Sequence, residues 1–254
     1  MITLKLLQWV RRAGVLLKTE ITTASDTDVR PNTYMKKPST RTLDDIPSID
    51  DLIRISKGLA MLDAILSPEW EYRYYSFNSK WLPGEMMASM RDGSGDGYFI
   101  LFDEHGAAIK GFAHEAIMSP WNTESDEIWP GMFDRVPAQF SSFLNEPAFS
   151  MAEVTFCIWR RYIDSAWQCG VRNFPEGNDP DGSEEMLKIL NGDPATYKEF
   201  ARDYYEVEIP LDAVEHIYAN LPLTESFVRS LNAEVRYADV EADMDEIAYP
   251  CAAA

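Results

Sequence analysis

Asp92, Ser94 and Asp96, spaced two apart and followed by Gly97, form the front half of a calcium-binding loop, and Asp103 falls at its twelfth place. The exit does not fit. An EF-hand continues into a helix and ends on glutamate, whereas residues 98–102, Tyr-Phe-Ile-Leu-Phe, read as a strand. The stretch is therefore expected to be a glycine-rich turn leading into a hairpin. A second acidic pair, Asp179 and Asp181, fits calcium less well: setting Gly182 at the loop glycine puts Gly177 and Lys188 at the terminal ligand places. Gly93, Gly95 and Gly97 lack the third-glycine spacing of a dinucleotide site and precede a strand instead of opening a helix. His114-Glu115 is followed by Met118 where a zinc protease would carry its second histidine. There is no Walker lysine and no Gly-x-Ser-x-Gly elbow. On these grounds no cofactor and no metal are expected.

Nucleophiles are few. If a hairpin turns through residues 162–164, Cys157 stands opposite Cys169 and Trp159 opposite Trp167, close enough for each pair to touch. Two small buried thiols beside a tryptophan pair are the ordinary outcome, and a redox pair is the functional one. A one-residue change in the loop separates them. Three cysteines make no disulfide framework in 254 residues, which places the chain in a reducing cytoplasm. Carboxylates lie near the expected core elements at Glu69, Glu71, Asp103, Glu115 and Asp134, but nothing selects two of them as an acid–base pair. A hydrolase using such carboxylates, or a Cys/His pair, stays open as the alternative to a binding protein.

Charge says more about partners. The formal net charge is −19, and Met1–Tyr34 carries five bases (Lys5, Arg11, Arg12, Lys18, Arg30) against three acids (Glu20, Asp26, Asp28), leaving −21 on the remainder. Nucleic acid is excluded as a partner, because phosphate backbones need clustered Lys and Arg. Arg73, Lys80, Arg91 and Lys110, interleaved with aromatics, are too few against that field to make a base-stacking platform. Anionic membrane surfaces are disfavoured for the same reason, and no run of eighteen apolar residues spans a bilayer. A basic protein is the partner such a surface suits. Residues 176–215 hold twelve acids and three bases, so Asp179, Asp181, Glu184 and Glu185 are the candidate protein-binding residues.

Those residues must be held by a fold, and an aromatic stretch organises it. Residues 70–81, Trp-Glu-Tyr-Arg-Tyr-Tyr-Ser-Phe-Asn-Ser-Lys-Trp, alternate large rings on both parities and read as a strand inside a sheet. Ser48 caps a helix before it, with apolar positions from Ile49 to Leu66 and Pro68 as its stop. Residues 98–102 and 107–112 form a hairpin around Glu104-His105-Gly106, with Leu101 facing Ile109 and Tyr98 facing Phe112. Residues 130–146 read as a helix bent at Pro137, and residues 154–161 and 165–171 as a second hairpin. Short helices follow, with Ser183 and Thr224 as caps and Pro194 near a helix start. The fold class is α+β: a mixed, mainly antiparallel sheet built from hairpins, packed by helices, with a helical C-terminal third. The expected organisation is a basic and polar N-terminal extension and linker over 1–47, poorly ordered and with Met35 as a natural start. One α+β domain over 48–232 and an acidic, fraying tail over 233–254 complete it.

Several segments together carry a resemblance: residues 59–70, the aromatic strand, residues 90–96, Lys110-Gly111-Phe112 and residues 156–159. The combination resembles a group of uncharacterised bacterial intracellular proteins over residues 49–231. The resemblance brings no catalytic residues with it. In style, an acidic α+β domain rich in tryptophan is similar to bacterial immunity proteins that neutralise toxins. That likeness implies a non-enzymatic cytoplasmic inhibitor of a basic partner.

Overall fold

The computed structural model describes residues 36–123 and 127–251. The basic segment Met1–Tyr34 lies outside them, so its expected role as an extension does too. Six strands, β1 (Tyr75–Leu82), β2 (Glu85–Arg91), β3 (Gly97–Phe102), β4 (Gly106–Phe112), β5 (Phe156–Arg161) and β6 (Gln168–Cys169), pair in chain order, every neighbour antiparallel. Seven α-helices accompany them among the described residues: α1 (Ile49–Leu66), α2 (Ser141–Asn145), α3 (Ser183–Leu187), α4 (Pro194–Tyr204), α5 (Leu211–Tyr218), α6 (Glu225–Leu231) and α7 (Glu241–Ile247). The class is α+β, with helices concentrated in the C-terminal third. No helix among the described residues is long and apolar enough to cross a membrane.

Strand alternation divides the interior into two cores. Tyr75, Phe77, Met90, Tyr98, Ile100, Ile109 and Ile158 face α1 and the C-terminal helices. Met87, Leu101, Ala108, Cys157 and Trp159 face the other way and are covered by Phe140, Phe143 and Phe149. Both faces of the central strands are therefore buried, which is why β4 reads as a continuous buried run. Ser48 caps α1 by accepting the Asp51 amide at 3.2 Å. From the far half of α1 a fully buried carboxylate, Asp63, reaches the start of β1. It accepts the Tyr74 and Tyr75 amides at 2.8 Å each and the Tyr197 hydroxyl of α4 at 2.7 Å. Three elements thus meet on one side chain.

The aromatic stretch is not an interior strand. Trp70–Tyr72 forms a short 3-10 turn, and β1 begins only at Tyr75, at the sheet's edge. That edge is covered by α7, through Ser79 Oγ donating to the Glu246 carbonyl at 2.7 Å and Lys80 pairing with Asp245 at 2.9 Å. The β3–β4 hairpin is one residue off the expected register: Ile100 faces Ile109 and Leu101 faces Ala108. Asp103 supplies the reason, since its carboxylate accepts the His105 and Gly106 amides and tightens the turn by one residue. The expected helix over 130–146 shrinks to α2 and a 3-10 turn, Ala138–Phe140. Pro137 has no amide to give, and Gly131 and Arg135 adopt φ of +83° and +66°.

The described parts of both expected margins, residues 36–47 and 233–251, are packed onto the domain. Thr40 and Ile46 are buried, and the Trp167 indole donates to the Pro47 carbonyl at 2.8 Å. Past Asn232, Val240, Met244, Ile247 and Tyr249 are buried, Arg73 pairs with Asp243, and Tyr249 donates to the Leu221 carbonyl at 3.0 Å. Acids between these apolar positions hid a period-3.6 pattern from the composition-based reading.

Candidate protein-binding surface

The four acidic candidates separate into two pairs with different duties. Asp179 accepts the Glu184 and Glu185 amides at 3.1 and 3.0 Å, so it caps α3 in place of Ser183, the expected cap. Asp181 is 1 % exposed. One of its oxygens accepts the Thr40 hydroxyl at 2.6 Å and the other the Ser183 amide at 3.0 Å. Burial, countered by those hydrogen bonds, raises the Asp181 carboxyl above its ordinary value. It is a tie between the N-terminal segment and α3, and it offers no charge to a partner. Glu184 and Glu185, fixed on the first turn by Asp179, do project, with side chains 46 % and 75 % exposed. They sit beside Lys37 and Lys188, in exposed ion pairs of little energetic weight.

The loop that carries Asp179 and Asp181 lies against the loop after β4. Met118 donates its amide to the Pro180 carbonyl at 2.9 Å. Gly182, at φ +75°, has room for no side chain, because a Cβ there would stand 2.4 Å from that of Ala113. This contact brings His114, Glu115 and Trp121 to the same end of the sheet as α3. The β2–β3 turn belongs to that end too. Asp92 Oδ1 accepts the amides of Ser94, Gly95 and Asp96 at 2.8 to 3.1 Å, a turn held by its own carboxylate. Asp96 in turn accepts the His114 amide at 2.7 Å and contacts its Nδ1 at 2.6 Å. That carboxylate raises the imidazole's pKa above the ordinary value and fixes the ring so that Nε2 faces outward, 3.8 Å from Glu115.

Two tryptophans frame these acids. Trp121 is 56 % exposed and braced edge-on by Phe112, with ring centroids 4.9 Å apart. Trp70 is equally exposed and rests on the Arg91 guanidinium, 3.6 Å from its ring centroid. Asp92, Asp96 and Glu185 all act on Tyr74 and raise its phenol's pKa, after the larger effect of burial, so α3 and the β2–β3 turn bear on one point. The end therefore combines rigid aromatic anchors with a rim of carboxylates.

The remaining candidates do not converge. Cys157 faces Lys110 on β4, and Cys169 faces Ile158, one residue out of the expected register. The cysteines accordingly belong to opposite cores, and Trp159 meets Gln168 where Trp167 was expected. Burial raises both thiols. Arg73, Lys80 and Arg91 are engaged by Asp243, Asp245 and Trp70, and Lys110 is buried. No group of three or more His, Cys, Asp or Glu is placed to hold a metal ion among the described residues.

Sequence reasoning missed the Asp96–His114 pair and Asp63. Continuing the β3–β4 ladder beyond Gly97↔Phe112 sets Asp96 beside Ala113 and His114, so the hairpin carried that signal. Asp63 sat among the apolar positions of α1 as a lone charge on the buried face, which is itself a signal. Burial, partly offset by its hydrogen bonds, raises its carboxyl to about 6. No family model, no curated protein and no solved structure matches this chain.

Proposed function

We propose that the protein is a non-enzymatic, acidic, cytoplasmic binding module that captures a basic protein at this end of the sheet, as an immunity-type inhibitor does. The observation that carries the reading is that the loop bearing Glu115 and the exposed, braced Trp121 meets, through Met118 and Pro180, the loop that leads into Glu184 and Glu185. Rigid aromatic anchors inside a charged rim are the usual anatomy of a hot spot, the ring supplying affinity and the charges supplying steering. A net charge of −19 extends the attraction beyond the contact itself.

One observation favours the hydrolase alternative. The Asp96–His114 pair has the geometry of an oriented general base, with its second nitrogen beside the exposed Glu115 carboxylate. No serine or cysteine lies in hydrogen-bond reach of that nitrogen among the described residues, and the buried thiol of Cys157 belongs to the second core. Binding is therefore the better-supported reading.

The test is to immobilise the protein, recover what it retains from extracts of its own cells, and measure each retained protein against Trp121→Ala. The reading expects a basic protein whose affinity falls by about 2 kcal/mol, the size of a hot-spot truncation. Retention only of neutral or acidic proteins, or indifference to Trp121→Ala, would remove this end as the binding surface.

A further inference from the structure

Lys110 is the one lysine buried among the described residues, and its own contacts do not explain that placement. Lys37, Lys80 and Lys188 pair with Glu184, Asp245 and Glu185, and Lys57 donates to the Ala248 carbonyl at 3.2 Å. Lys110 is 4 % exposed in the middle of the sheet, yet it has neither a carboxylate at ion-pair distance nor a hydrogen-bond acceptor. Its neighbours are the rings of Phe99 and Phe112, whose centroids lie 6.0 and 5.7 Å from Nζ. Two such distant cation–π contacts stabilise a charge only weakly. Taking an ammonium out of water costs more than such contacts return, so a lysine so placed gives up its proton more readily than an exposed one.

We propose that Lys110 is a nucleophilic amine site that condenses with a small, uncharged carbonyl compound. Its side chain projects from the centre of β4 beside Phe99 and Phe112, a setting that raises the share of neutral amine over that of an exposed lysine and suits an aldehyde or ketone with a short apolar tail. Nζ is not among the fully enclosed polar atoms of the protein, so it retains contact with solvent. Burial lowers its pKa to about 8, the carboxylate of Glu153 acting weakly in the other direction. The neutral amine adds its lone pair to the carbonyl carbon, and the oxygen takes up a proton to give a carbinolamine. A proton from solvent lets the hydroxyl leave as water, and the nitrogen's second proton then passes to solvent to leave the imine.

This site is separate from the acidic end and does not depend on the binding reading. The experiment treats the full chain with propionaldehyde and cyanoborohydride at pH 7.5 and maps the alkylated lysines by peptide mass spectrometry. Lys37 and Lys80, with side chains 68 % and 66 % exposed, are the internal references. A pKa near 8 against an ordinary lysine gives Lys110 the larger neutral fraction, so its adduct should form about tenfold faster than theirs. Its rate should level off above pH 8, while theirs keeps rising. Lys110→Met, checked for folding by circular dichroism, should lose only this fast adduct. Labelling of Lys37 and Lys80 first, with Lys110 reacting only in denaturant, would overturn the proposal even if Lys110→Met failed to fold.

Discussion

Replacing Asp63 with asparagine isolates the effect of one buried charge on stability. The carboxylate receives two backbone amides and the Tyr197 hydroxyl, all of which favour its ionised form. Complete burial outweighs them and raises the carboxyl to about 6. An acid whose folded pKa lies above its unfolded value holds its proton more tightly in the native state. Stability from this group is therefore greatest below pH 4 and is lost as pH rises through 6. A shift of about two units corresponds to about 3 kcal/mol between those limits. Asp51, Asp164, Glu225 and Asp239 have lowered values and act in the opposite sense, losing stability as pH falls, so the raw pH profile mixes both signs. The difference between wild type and Asp63→Asn cancels them. Urea unfolding followed by tryptophan fluorescence, at half-unit steps from pH 4 to pH 8, supplies that difference. The wild-type advantage over Asp63→Asn should shrink by about 3 kcal/mol between pH 4 and pH 7. Parallel profiles would mean that Asp63 titrates like an ordinary carboxyl, and that the three hydrogen bonds compensate its burial.

Other substitutions test the positioning of the acidic end. Gly182→Ala should destabilise by about 2 kcal/mol or more in the same urea assay, since it forces a side chain into a left-handed conformation against Ala113. Asp181→Ala should cost about 1–3 kcal/mol by stranding the Thr40 hydroxyl and the Ser183 amide. Glu184→Lys and Glu185→Lys should each stay within about 0.5 kcal/mol of wild type, as exposed positions do. Cys157→Ser should cost about 1–3 kcal/mol, because the hydroxyl meets an apolar core. Rapid labelling of Cys157 by a thiol reagent in the folded protein would contradict its placement there.

Much of the architecture was legible in the sequence because it rests on local rules. Ser48, Thr224 and Pro194 mark helix starts as written, and residues 98–102 pair with residues 107–112 as a hairpin. Register was not legible, since it hangs on one residue in a turn: Asp103 tightens the β3–β4 turn, and the β5–β6 hairpin separates its two cysteines in the same way. The edge position of β1 was also hidden, because α7, which covers it, looked like an acidic tail. At the candidate surface, composition located the acids of α3 but could not distinguish a cap, Asp179, or a buried tie, Asp181, from the projecting Glu184 and Glu185. That distinction depends on Thr40 and Ala113, which are far away in sequence. Trp121 and the Asp96–His114 pair went unassigned because their meaning comes from the loops that surround them.

The most direct measurement is the association rate of the recovered basic partner, by stopped flow, as salt rises from 25 to 500 mM. Wild type is compared with Glu115→Lys, Glu184→Lys and Glu185→Lys combined. Asp179 and Asp181 are left in place so that α3 keeps its cap and its tie. Steering by this surface predicts a wild-type association rate that falls by about tenfold or more across the series, with dissociation nearly constant. In the reversed protein the rate should be lower at 25 mM and nearly flat with salt. Equal rates and equal salt dependence in the two proteins would place capture elsewhere and contradict the proposed function.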